Sequence, residues 1–238
     1  MIKEEVLKSF FTGSFESEYN ERLMFRDYIL PSEEIYDYIK NLIDIPVVEY
    51  IDAVITGFSA SHFSTKDIPQ FSSFYDATER ICNILMENGD NGYKFAEMGV
   101  FLRSNNVERD CRADIKYGEN HCKTAADFGL IQIRFGNVCY LSCLGILFNE
   151  LTETEKQNYL SRFVLRNNFI NWLICRAKQH IINLDDEMNI LSPSTIKRRK
   201  PNVIYYLNLL KGQSDSQVDN ILSNIQCKTS PKKGMLTI

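Results

Sequence analysis

"DCRADIKYGENHCKTAADFGLIQIRFGNVCYLS", residues 110–142, carries two patterns back to back. Residues 110–129 read as a helix. Asp110 can cap its start, and Gly129 sits where a left-handed residue closes a helix. Two alternating runs follow, 130–134 and 138–142, on either side of Phe135-Gly136-Asn137. That spacing predicts a hairpin with a glycine in its turn.

Upstream, "SSFYDATERICNILMENGDNG" (72–92) offers Ser73 as a cap with Asp76 three residues on. Ala77, Ile81, Leu85 and Met86 then make an apolar stripe, and the Asn/Gly cluster stops it. "YKFAEMGVFLRS" (93–104) reads as a second, shorter helix. Three helices followed by a hairpin is the order of a winged helix-turn-helix module. Its third helix is the one that enters a groove. Further upstream, "LPSEEIYDYIKNLI" (30–43) reads as a helix capped by Ser32, with Ile35, Ile39, Leu42 and Ile43 on one face. "IPVVEYIDAVITGFSASHF" (45–63) fits either a strand or a buried helix.

Downstream, Thr152 and Glu155 form a capping box, and Tyr159, Leu160, Phe163 and Val164 continue the apolar pattern. "NNFINWLICRAKQHII" (167–182) is a further helix, with the single tryptophan, Trp172. A short segment, "NLDDEMNIL", precedes residues 191–210. From Ser214 the chain is polar apart from "VDNILSNI". The expected class is mainly α: tandem winged helix-turn-helix modules with a short β-hairpin wing, plus an N-terminal helical segment. The division is 1–70, 71–150 for the first module, 151–213 for a second helix-turn-helix module, and a tail over 214–238.

"LSPSTIKRRKPNVIYYLNLL" (191–210) decides where charge is placed. Ser192 is a good N-cap, and Pro193 suits the first helical position. Thr195, Lys197, Arg198, Arg199 and Lys200 fall in the first two turns. Val203, Ile204, Leu207 and Leu210 recur at helical spacing. Cations near a helix N-terminus oppose its macrodipole at roughly 0.3–1 kcal/mol each, and phosphates would offset that cost. Pro201 predicts a kink or a split. Net charge follows the same gradient: −7 over residues 1–70, −4 over 71–160 and +7 over 161–238. A polyanion is drawn to the C-terminal third.

"ADIKYGENHCKTAADFGLIQI" with "YLSCLG", and the 191–210 stretch, resemble winged-helix modules of prokaryotic DNA-binding proteins, including those attached to restriction and phage-defence systems. The likeness spans roughly 72–212. It implies DNA contacts from Ser194, Thr195, Lys197, Arg198 and Arg199, with Lys200 beside them, in the second module. In the first module it implies contacts from Lys116, Asn120, Lys123 and Thr124. Arg134 at the wing base and Asn137 at its tip are lesser candidates.

Other chemistry is sparse. Cys111, His121, Cys122, Cys139 and Cys143 lack paired zinc-ligand spacing, so buried cysteines are expected and no metal or cofactor. No phosphate-binding glycine loop occurs. Seven scattered cysteines and no secretory or membrane-spanning run fit a cytoplasmic protein. The expected function is double-stranded DNA binding, as a transcriptional regulator or the recognition component of a restriction or defence system, with a homodimer or partner subunit compatible. A restriction-type endonuclease completed by N-terminal acids is the enzymatic alternative. A winged-helix protein-interaction module is the third.

Overall fold

A computed structural model describes residues 8, 33–71, 74–88, 91–103, 111–211 and 215–227. Helix α1 spans Glu33–Asp44 and α2 spans Val47–Phe58. The ambiguous 45–63 stretch is therefore helical, with Val47, Tyr50, Ile51 and Val54 on its buried face. A π-turn over Asp76–Arg80 leads into α3, Ile81–Asn88. Ala77, Ile81 and Leu85 are buried as expected, whereas Met86 faces solvent. Strand β1, Tyr93–Lys94, runs straight into α4, Phe95–Leu102. Tyr93 and Lys94, which the sequence pattern assigns to the helix, form this strand instead. The Glu97 carboxylate accepts from the Lys94 backbone N–H at 2.8 Å, which marks the boundary.

Helix α5, Cys111–Asp127, ends in a Schellman closure. Leu130 N–H donates to the Ala125 carbonyl and Gly129 N–H to that of Ala126. Gly129 adopts φ 73°, the left-handed value this motif needs. Strands β2 (Ile131–Arg134) and β3 (Val138–Leu141) form the hairpin, and Gly136 and Asn137 both take positive φ in its turn. The sheet order is β1-β3-β2, antiparallel throughout. Ser142 closes the unit. Its hydroxyl donates to the Gly129 carbonyl at 2.6 Å and accepts from Gly145 N–H at 3.0 Å. The caps proposed at Ser32, Ser73 and Asp110 lie outside the described residues.

Next come α6 (Cys143–Glu150), α7 (Glu153–Phe163) and α8 (Asn168–Ala177). The Thr152–Glu155 capping box forms as read. Strand β4, Ile182–Asn183, runs straight into the one-turn helix α9, Leu184–Glu187. Helix α10 covers Pro193–Asn208, α11 covers Ser216–Ser223, and β5, Ile225–Gln226, pairs in parallel with β4. Residues 215–227 thus do more than trail: Val218, Ile221 and Leu222 are buried. The described residues contain eleven α-helices. The order helix, two-residue strand, helix, long helix occurs twice, over 74–127 and over 168–208.

One hydrophobic cluster joins the described elements, from Ile39 on α1 to Leu222 on α11. Arg162, fully buried on α7, acts as a strut. Its guanidinium donates to the Ile45 carbonyl between α1 and α2, and to Ser161 and Asn158 on its own helix. Burial pulls its pKa down to about 10. Lys40 on α1 also pairs with Glu155 on α7. Residues 33–58 are therefore built into the same body as the rest. Among the described residues no helix is long and apolar enough to cross a membrane.

Candidate nucleic-acid interface

Helix α10 begins where the sequence places it, but not with the expected cap bond. Ser192 occupies the N-cap position, while its hydroxyl pairs with those of Thr195 at 2.9 Å and Ser194 at 3.2 Å. Pro193 takes the first turn, and the helix continues through Pro201 without a split. The reason lies in where Pro201 points. The missing N–H would have met the Lys197 carbonyl. Pro201 and Lys197 are both exposed, so that carbonyl can bond to water. The buried face is made by Val203, Tyr206 and Leu207. Ile204, read as a core position, is exposed together with Tyr205.

The four consecutive cations part company because successive residues point about 100° apart on a helix. Arg199 turns inward. It donates to the carbonyls of Thr65 at 2.7 Å and Ile68 at 3.2 Å. Burial and the neighbouring Arg198 charge both lower its pKa. Lys200 donates to Asp185 on α9 at 2.6 Å. Both were candidate DNA contacts, and both are committed to the fold. Lys197 and Arg198 remain exposed, and among the described residues neither has a hydrogen-bond or ion-pair partner. Ser194 is exposed beside them, and Thr195 is half-buried.

Helix α5 carries the first module's candidates. Lys116 and Lys123 both bridge Glu119, at 3.0 and 2.6 Å. Those bonds, lysine by lysine, hold the Glu119 carboxyl below its ordinary value. Thr124 is buried, donating its hydroxyl to the Asn120 carbonyl and bonding to Tyr206 on α10. It is placed as a packing contact between helices. Asn120 is half-buried, with no partner for its side-chain amide among the described residues. Arg134 bonds to Gln132 at 3.2 Å and lies 4.3 Å from the Tyr140 ring centroid, so the hairpin itself holds it. Asn137 and Phe135 are exposed at the hairpin tip.

Lys116, Asn120, Lys123 and Thr124 do come together, but around a recess. Helix α5, a strap over residues 65–71 and Tyr206 of α10 enclose a groove of two adjoining lobes, about 450 and 460 Å³. The strap is held by Arg199 and by Asn202, whose amide reaches the Gln70 carbonyl. Asp127 is open at the surface, yet the walls of the groove crowd it. That burial pushes its carboxyl up to about 6, against the pull of Arg166 and Lys123. The sequence reading missed Lys66, Asp127 and Tyr206 because nothing in local spacing brings residue 66 to residue 127 or 206.

Cys82 lies in the core, as do three of the cysteines singled out in the sequence, whereas Cys227 is exposed and the Cys111 side chain lies outside the described residues. Cys122, Cys139 and Cys143 are buried. Among the described residues no group of three or more His, Cys, Asp or Glu could hold a metal. No family model, curated protein or solved structure matches this chain.

Proposed function

We propose that the protein binds double-stranded DNA, as a transcriptional regulator or as the recognition component of a restriction or defence system. In this reading residues 74–141 form a winged helix-turn-helix module and residues 168–208 a second helix-turn-helix module. The repeated element order and the β1-β3-β2 sheet with its projecting turn support the pairing of modules.

One observation carries the DNA reading: Lys197 and Arg198 project from the first turns of α10 without a hydrogen-bond or ion-pair partner among the described residues. A chain selected only for folding gains nothing from two such charges at the positive end of a helix dipole. Phosphate oxygens supply their partners, and Arg198 can also bond a guanine edge through two donors. Arg199 and Lys200 serve differently, as braces that hold α10 against the strap and α9. The N-terminal halves of recognition helices face DNA while their other ends are anchored. Here Val203, Tyr206, Leu207 and Leu210 form that anchor.

Fluorescence anisotropy with labelled duplexes of mixed sequence, titrated across salt, tests this. The Lys197→Ala/Arg198→Ala double variant is expected to bind at least tenfold more weakly. The log–log salt slope should fall by about 2, one for each lost phosphate contact. Equal affinity and an unchanged slope would remove α10 as the DNA surface.

A further inference from the structure

We propose that the groove between α5, the 65–71 strap and α10 is a binding site for a nucleoside phosphate, its phosphate toward Lys66, Lys116 and Lys123 and its ribose hydroxyls toward Asp127. This goes beyond the DNA reading and stands without it. A helix that reads the major groove must project into a channel about 12 Å wide. The lysine-bearing side of α5 instead faces the strap and Tyr206 across a recess. Each lobe, at about 450 and 460 Å³, has the size of a small-ligand cleft.

The groups left over in this recess define the ligand. Among the described residues the Lys66 ammonium, the Asn120 amide and the Asp127 carboxylate have no hydrogen-bond partner. Asp67 and Asn167, which also line it, are already used. The Asp67 carboxylate accepts from Ser64 and Asn168, and the Asn167 side chain caps α8 and donates to the Asp67 carbonyl. Lys116 and Lys123 share Glu119 in exposed ion pairs, which exchange for a phosphate at little cost. Three lysine charges therefore line the same open groove as one carboxylate acceptor that has no hydrogen-bond partner among the described residues. An inorganic anion satisfies the lysines and is repelled by Asp127. A phosphate joined to a vicinal diol satisfies both, because a carboxylate accepts hydroxyl donors in the way acidic residues hold ribose elsewhere. Phe128 and Tyr206, both buried, supply an apolar floor against which a base can lie.

Calorimetric titration of the full chain at low salt, with AMP, dAMP and inorganic phosphate as separate probes, tests the site. AMP should saturate at one per chain, with dAMP at least fivefold and phosphate at least tenfold weaker. Lys66→Ala/Lys123→Ala changes two exposed side chains and should weaken AMP at least tenfold. Asp127→Asn should bring AMP and dAMP to equal affinity. Circular dichroism confirms that each variant is folded. The proposal is overturned if AMP shows no saturable binding, if phosphate or dAMP matches AMP on the unaltered chain, or if the double variant binds AMP as the unaltered chain does.

Discussion

At the scale of single residues, the fold holds some ionisable groups in surroundings that favour one charge state. Asp127 is the clearest. Its carboxyl rises from 3.8 to about 6, because groove walls remove water from the charged form. A carboxyl whose folded pKa lies above its unfolded one contributes stability in full below the lower value. That contribution is lost as pH rises through the higher one. Asp127→Asn is therefore expected to raise the melting temperature at pH 7.5. The gain should shrink as pH falls through 6 and vanish below about 3.8. Thermal melts of both proteins across that range check this, and a difference independent of pH would refute the cause. Arg162 and Arg199 show the opposite strain. Desolvation lowers both, but carbonyl acceptors keep them useful as struts.

Between elements, the tightest approach is α4 on α5, and two glycines set it. A Cβ on Gly99 would lie 1.8 Å from the Asp114 carbonyl oxygen. One on Gly118 would lie 1.9 Å from that of Phe95. Both obstacles are backbone, so neither can swing aside. Replacing a mid-helix glycine with alanine ordinarily stabilises by about 1 kcal/mol. Here Gly118→Ala should instead cost about 3 kcal/mol, by forcing the helices apart. Urea denaturation decides the sign, and a stabilised variant would show that the helices are not in backbone contact. The Arg103–Asp114 ion pair at 2.9 Å spans the same crossing.

For the whole molecule, the single core has a thermodynamic consequence. The proposed modules and the N-terminal helices share one cluster, so they should unfold together. Ile43 on α1 is fully buried, and Trp172 on α8 donates its indole N–H to Glu187 at 2.8 Å. Ile43→Ala should cost roughly 2–5 kcal/mol by leaving a cavity. The midpoint of the Trp172 fluorescence transition should fall by as much as that of circular dichroism. Two separated transitions would mean that residues 33–58 are a distinct unit.

Local pattern was enough to place the helices with strong periodicity, the capping box at Thr152, the closure at Gly129 and the hairpin turn at Gly136. Each depends on residues within a few positions of one another, where propensity and hydrogen bonding act directly. The gradient of charge and the basic start of α10 were equally open to reading. Tertiary structure alone decided which of four adjacent cations face water, because the partners of Arg199 and Lys200 lie 131–134 and 15 residues away. It also decided that Lys116, Asn120 and Lys123 line a recess, that 216–226 completes the core, and that β1 and β4 are strands. Two-residue strands carry no periodicity, and a groove has no sequence signature when its walls come from distant segments. Such features exist only once packing has brought the chain together.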